Sequence, residues 1–413
     1  MASWGSKRRD QNGAVYSSTT EETTSINNHL SVVPSKHLRV STTLPSDVIP
    51  EILCRLPVKF ILQFRCVCKS WNSLISDPKF VKKQLNVSTA RNIHFLLYDH
   101  TRYLGKYILL SEPIDSIFTN ITSNSTRFEY SPNGFNGDYP RSILHDFVGS
   151  CNGILCIADD YKGLVILWNP SIRKFKELPL FQKPYVRNHI HMSFGFGYNS
   201  SKDNYKVVVV LVYFIYRDIK TDIKTEVEVH TLGTNFWRRS TQEYPLGGAP
   251  FERSGKFVSG TINWLFSKKI KSGRVCPCFI VSFDLAKETF QKISPPSIGG
   301  IDVCDLSSLG VLRDCLCVTS GDDIWIMKEY AKQESWTKLL TIPYKPEPTN
   351  SHVRAKAVYI FEDGQVLLKF IGGVDKCLIL YDIKRGTLKS TDFRKVPEVC
   401  VESLISPCSF TRM

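Results

Sequence analysis

Thirteen cysteines are the first place to look for a metal or redox centre. Their close pairs are Cys66/Cys68, Cys276/Cys278 and Cys315/Cys317, each with one intervening residue. Four tetrahedral zinc ligands in the usual spacings cannot be assembled from them. Cys315 and Cys317 share one face of the apolar run Cys-Leu-Cys-Val, the pattern of buried strand cysteines. The nine histidines do not cluster on a helix, and His189 and His191 read as loop residues. Glycoside hydrolysis needs two carboxylates flanking a bond. The doublets Asp159-Asp160 and Asp322-Asp323 instead sit at strand ends, where turns favour Asp. There is no G-x-S-x-G, phosphate loop or H-E-x-x-H. These patterns lead us to expect a non-catalytic chain with neither metal nor cofactor.

Recognition is then the remaining chemistry, and it rests on charge and apolar surface. Lys and Arg number 53 against 39 Asp and Glu, a net +14 over 413 residues. Such an excess points to nucleic acid or an acidic protein as partner. Residues 1–43 carry +2, residues 44–88 carry +4, and residues 89–413 carry +8, so the charge is diffuse. Hydrophobic content of 42% and aromatic content of 12% exclude a wholly disordered chain. The longest apolar run, Val207 to Tyr216, has ten residues. A membrane helix needs about 20, so the run reads as a buried strand and no membrane partner is expected. The N-terminus shows no apolar signal region, which leads us to expect a cytoplasmic or nuclear protein. Residues 1–43, rich in Ser and Thr, read as a disordered arm.

Composition changes abruptly at residue 44. Ser46 is placed to cap a helix carrying Val48, Ile52, Leu53 and Leu56, which Pro57 stops. A second helical period runs through Val58, Ile61, Leu62, Phe64, Val67, Cys68, Trp71, Leu74 and Ile75, and Asp77-Pro78 opens a third. Three short helices cannot bury all these groups among themselves, so residues 44–88 read as a docking unit.

The run Leu44-Pro45-x-Asp47-Val48-Ile49-x-x-Ile52-Leu53-x-Arg55-Leu56-Pro57-Val58-Lys59, followed by Phe64-Arg65-x-Val67-Cys68-Lys69-Ser70-Trp71, resembles a plant-type F-box. The resemblance implies a Skp-type adaptor as partner, and through it cullin and RING subunits. By position it assigns Leu44, Pro45, Leu53, Leu56, Pro57, Val58, Leu62, Val67 and Cys68 to face or support that adaptor. Pro50 inside the first helix and Gln63 depart from the usual pattern.

Residues 89–413 change to short β-rich runs between polar turns. One unit recurs: an apolar strand, a polar turn of about five residues, then a strand entered by a large apolar residue. The entering residues Phe175, Trp237, Phe290, Trp336 and Leu388 are spaced by 62, 53, 46 and 52. A period near fifty suggests kelch-like blades of four strands. Five blades fall between about 145 and 393, and the runs Ile93 to Tyr98, Tyr107 to Leu110 and Val399 to Ser406 would form another shared by both chain ends. The expected fold is a small helical F-box followed by an all-β propeller, six blades favoured and seven or eight open. Trp168, Trp237, Trp264, Trp325 and Trp336 read as core between blades.

Gly149-Ser-Cys-Asn-Gly-Ile-Leu-Cys, Leu167-Trp-Asn-Pro-Ser, Gly195-Phe-Gly-Tyr, Ile280-Val-Ser-Phe-Asp, Trp325-Ile-Met-Lys-Glu-Tyr and Val401-Glu-Ser-Leu resemble, in this order, the F-box-associated domain of plant F-box/kelch proteins. The resemblance implies a substrate receptor of an SCF-type ubiquitin ligase, with the propeller holding the protein to be ubiquitinated. With the strands of a blade lettered a to d from axis to rim, the variable d–a and b–c connections are the expected recognition loops, among them Phe181–Met192, Tyr216–Thr225 and Ser267–Cys276. Their cations, Lys183, Arg187, Lys220, Lys224, Lys268, Lys269, Lys271, Arg274 and Arg354, would face an acidic substrate. Two other readings compete: an F-box scaffold outside any ligase, and a basic propeller that binds nucleic acid. The second lacks any recognised nucleic-acid module in the sequence.

Overall fold

The structure is a computed structural model. It describes residues 47–88, 93–101, 106–114, 126–130, 146–160, 163–181, 189–217, 220–245, 249–250, 252–267, 278–296, 308–343, 354–371, 378–390 and 397–408. The helical segment holds four helices: α1 (Val48–Leu53), α2 (Val58–Phe64), α3 (Lys69–Ser76) and α4 (Pro78–Ser88). Asp47, not Ser46, occupies the N-cap position of α1. Pro50 falls in the first turn, where its missing N–H costs no helical bond, and its carbonyl accepts from the Cys54 N–H at 3.0 Å. The single second helix expected from the apolar period is two helices. Cys68 is extended (φ −159°, ψ 167°) and breaks the chain. The period continues across the break because α2 and α3 pack into one core.

The strands follow in chain order: β1 (Ile93–Thr101), β2 (Lys106–Pro113) and β3 (Thr126–Tyr130). Next come β4 (Asp146–Cys151), β5 (Ile154–Asp159), β6 (Leu164–Asn169) and β7 (Lys174–Glu177), then β8 (His189–Asn199), β9 (Asn204–Arg217), β10 (Lys220–Thr231) and β11 (Trp237–Arg239). A third set is β12 (Lys256–Val258), β13 (Thr261–Ser267), β14 (Cys278–Asp284) and β15 (Phe290–Ile293). It is followed by β16 (Ser308–Leu312), β17 (Cys315–Ser320), β18 (Asp323–Met327) and β19 (Trp336–Thr341). The last set is β20 (Arg354–Ile360), β21 (Gln365–Ile371), β22 (Leu378–Asp382) and β23 (Thr387–Ser390), and β24 (Pro397–Val401) ends the series. Five antiparallel sheets are built from four consecutive strands, and one further sheet has the order β24-β1-β2-β3, joining both chain ends. The first strands touch in the cyclic order β4, β8, β12, β16, β20, β24 and back to β4. The architecture is therefore a propeller closed by its own termini, which leaves no open first or last blade. Among the described residues no seventh or eighth sheet occurs.

Each of these strands follows from where it lies in its blade. Every residue of β5 and β6 is buried, as is each from Val207 to Val212 in β9. A second or third strand has a neighbouring blade on both faces, so its sequence is apolar on both. Fourth strands are richer in polar residues and more exposed, half exposed in Lys174-Phe-Lys-Glu and wholly exposed in Thr387-Leu-Lys-Ser. In three of the five consecutive blades the turn that enters them is set by an Asx side chain at the end of the third strand, whereas β10 and β18 end in Thr231 and Met327. The Asn169, Asp284 and Asp382 Oδ1 atoms accept backbone N–H bonds from Ser171, Ala286 and Lys384 at 2.8–2.9 Å. The large residue that follows reaches back to the previous blade. The Trp237 Nε1–H donates to the Pro179 carbonyl at 2.6 Å and the Trp336 Nε1–H to that of Ser294 at 3.0 Å. Trp168 and Trp264 are buried core, while Trp237, Trp325 and Trp336 are half-buried. In Gly195-Phe-Gly-Tyr the glycines allow close approach, since a Cβ on either would overlap Ile262 or Phe257 of the next blade.

Candidate adaptor and substrate interfaces

The helical core is formed by Leu53, Cys54, Val58, Ile61, Ile75 and Phe80, closed by Leu404 from the C-terminal segment, with Ile172 packed alongside. Pro57 begins α2, its carbonyl taking the Phe60 and Ile61 N–H groups at 3.0 and 3.2 Å. The Val58 N–H, which has no partner within its helix, donates to Glu402 Oε2 at 3.1 Å. Phe64 and Trp71 meet edge to face at 5.4 Å. Arg65 ties α2 to α3, its Nε donating to Asn72 Oδ1 at 3.0 Å and its Nη2 to Ser76 Oγ at 3.2 Å. Much of the Phe-Arg-x-Val-Cys-Lys-Ser-Trp signature is therefore internal bracing.

The predicted adaptor residues divide accordingly. Leu44 and Pro45 lie outside the described residues. Leu53 and Val58 are fully buried, so they support the surface instead of facing a partner. Leu56, Pro57 and Leu62 are half-buried, and Val67 and Cys68 are exposed, Val67 at 61%. Cys68 sits at the N-cap of α3, where the Ser70 hydroxyl and the Trp71 N–H hold its thiol below the usual range. Phe60, 48% exposed, and Ile52, 47% exposed, are further exposed apolar residues on α2 and α1. Phe60 was missed because it falls off the apolar stripe. The only signal for it in the sequence is a large apolar residue without a core position.

The helices are seated on one face of the propeller. Lys82 of α4 pairs at 2.6 Å with Asp203, in the β8–β9 turn. Asp203 is held below the usual carboxylate range by that ammonium and by the Tyr198 hydroxyl. Ile172 lies in the β6–β7 turn, and Val81 and Leu85 enter the cluster of the first two consecutive blades. These contacts come from a–b and c–d turns. The b–c and d–a connections therefore open on the opposite face.

Three short motifs converge beneath the helices. Asn169 Nδ2 donates to the Ser403 and Ile405 carbonyls at 3.0 and 2.7 Å and lies 3.1 Å from Ser403 Oγ. Ser403 Oγ donates to the Asn152 carbonyl at 2.7 Å, and Asn152 Nδ2 donates to the Tyr205 hydroxyl at 3.0 Å. Gly153 has φ +77°, and a Cβ there would stand 2.8 Å from the Val401 carbonyl and overlap Ser403. Gly149-Ser-Cys-Asn-Gly, Trp-Asn-Pro-Ser and Val-Glu-Ser-Leu thus form one joint, braced by Tyr205 of β9.

On the opposite face the structure gathers few of the predicted cations. Lys183, Arg187, Lys268, Lys269, Lys271 and Arg274 lie outside the described residues. Lys220 opens β10 and Arg354 opens β20. Lys224 is exposed and pairs with Glu226 at 2.8 Å. Tyr216–Thr225, expected as a loop, is the end of the β9–β10 hairpin, because its apolar-polar alternation continues the ladder to Arg217 and Lys220. His189 and His191, expected in a loop, belong to β8, paired with Phe214 and Val212. Among the described residues no group of three His, Cys, Asp or Glu side chains could hold a metal ion. No helix there is long and apolar enough to cross a membrane.

Fold and site together define a helical docking unit fused to a β-propeller. The F-box associated beta propeller domain family matches residues 71–410 and the F-box domain family matches residues 42–83, so the chain belongs to the F-box proteins with an F-box-associated propeller. It is 31% identical over 353 residues to an F-box/kelch-repeat protein of Arabidopsis thaliana, covering 83% of this chain and 88% of that one. It is 30% identical over 389 residues to an F-box protein of the same plant, covering 86% and 88%. Among solved structures, YjhT overlaps with a TM-score of 0.37 at 11% identity, over 60% of this chain and 83% of that one. That likeness carries no functional argument.

Proposed function

We propose that this protein is a substrate-recognition subunit of an SCF-type E3 ubiquitin ligase. The F-box helices dock a Skp-type adaptor, which bridges to the cullin and RING subunits, and the propeller captures a protein for ubiquitination. The chain itself is not an enzyme in this reading. Transfer chemistry belongs to the other subunits, and this one raises the effective concentration of substrate lysines. The carrying observation is the seating of the helices on the a–b and c–d turns. It leaves Ile52, Phe60 and Val67 as an outward apolar surface and turns the variable loops away from it. The sheet shared by the chain ends acts as a sixth blade, and the basic loops favour an acidic substrate. The ligase acts in the cytoplasm or nucleus.

Pull-down with a purified Skp-type adaptor tests the docking surface. Phe60→Asp and Val67→Asp alter exposed positions, so both should abolish capture while circular dichroism and Tm stay unchanged. Val58→Asp, at a fully buried site, should unfold the helices instead. Full adaptor binding by the folded Phe60→Asp and Val67→Asp chains would overturn the assignment.

A further inference from the structure

The β9–β10 hairpin outruns its own fourth strand. β9 and β10 pair without a break from Lys206/Thr231 to Arg217/Lys220, whereas β11 covers only Glu228 to His230. One more bond extends that cover, from the Ser240 N–H to the Val227 carbonyl at 2.7 Å. This bond sets the phase of the edge. Val227 directs its backbone groups away from β9, and by the two-residue alternation of a strand so do Thr225, Ile223 and Thr221. Among the described residues no strand pairs with that stretch.

Natural sheets blunt such edges with proline, bulges, inward charges or edge lysines, and the exposed Lys224 on this stretch opposes a cationic chain while favouring an acidic one. Here the ladder has no bulge, and the three outward positions are the β-branched Thr221, Ile223 and Thr225. Ile223 is 43% exposed. The other face of the strand offers charge. Glu226, 8% exposed, lies beneath Lys224 and Arg239, which are 62% and 57% exposed and both pair with it. A chain laid beyond Ser240 would pass those two cations on one face and Ile223 on the other. Asp222 stands nearer the hairpin tip, on the cations' face.

We propose that the open edge of β10 at Thr221–Thr225 binds an extended segment of the substrate as an added β-strand. The segment carries an apolar, β-branched residue beside Ile223 and an acidic residue beside Lys224 and Arg239. The proposal rests on the reading of the propeller as a receptor. The hairpin is a b–c connection, so the added strand lies toward the face away from the F-box helices.

The test uses the full chain, a display library of ten-residue peptides, and hydrogen exchange of the Thr221, Ile223 and Thr225 amides. Ile223→Pro removes an N–H that points outward and leaves the β9 ladder intact. Ile223→Val keeps both the N–H and the apolar side chain. Selected peptides should alternate apolar and acidic residues and slow exchange at the three amides. They should bind Ile223→Val normally and lose about tenfold in affinity for Ile223→Pro. The proposal is overturned by a library that yields no binder, or by binders indifferent to Ile223→Pro. It is equally overturned if the amides are already slow in the dilute free chain, which would place a segment of the same chain on the edge. Protection that appears only as concentration rises would assign the edge to a second copy. Binders at another site leave the receptor reading standing. That reading falls separately, if a reconstituted ligase containing this chain ubiquitinates no protein that the propeller retains.

Discussion

Asn169 carries more of the architecture than its place in a turn suggests. Its amide donates into the C-terminal segment while its Oδ1 holds the turn into β7, and the side chain is fully buried. Asn169→Ala strips partners from several buried oxygens at once, so a loss of about 2–3 kcal/mol is expected in urea unfolding. A change below about 0.5 kcal/mol would show that the joint does not depend on it. Buried charge obeys the same accounting. Lys206 is almost wholly buried and reaches Glu288 of the next blade at 2.7 Å, with Arg238 on the other carboxylate oxygen. Burial pushes the Glu288 carboxyl upward, but Arg238 and Lys206 prevail and hold it below its usual range.

At the scale of elements, the basic excess acquires a second explanation. Fourth strands carry Lys174, Lys176, Arg238, Arg239, Lys292, Lys338 and Lys389. Each such strand is a blade edge, and lysine on an edge opposes pairing with another chain. Part of the charge therefore guards the rim, and only the remainder bears on the proposal of an acidic substrate. Replacing the exposed Lys174 and the half-buried Lys176 with Val should leave Tm nearly unchanged while shifting the protein toward oligomers in size-exclusion chromatography. A purely monomeric double variant would remove the rim-guarding account.

At the scale of the whole molecule, the C-terminal segment joins three parts. β24 pairs with β1 to close the ring, Ser403 locks to the first consecutive blade, and Glu402 and Leu404 complete the F-box core. The F-box is thus fixed to the propeller, so the orientation of its exposed apolar residues relative to the propeller loops is set by the fold. Leu404→Asp places a charge in that shared core. Calorimetry should show one cooperative transition in the parent protein and two in the variant. A single transition in both would mean the domains are coupled elsewhere.

What the sequence determined by itself was local. The alternation of residue types and the spacing of Phe175, Trp237, Phe290, Trp336 and Leu388 marked the strands and the repeat, because each fourth strand solves the same packing problem. The F-box signature was equally legible, since its proline, arginine and tryptophan answer to neighbours a few residues away. What faces a partner was decided only by tertiary structure. Leu53 and Val58 look no different in sequence from Phe60 and Val67, yet Leu404, some 340 positions later, helps to bury the first pair and leaves the second pair outside. The same holds for the open edge of β10. Its residues read as an ordinary strand, and only the early departure of the chain after Ser240 leaves their backbone without a pairing strand among the described residues. Burial and pairing depend on which distant segments arrive, and a local pattern does not record that.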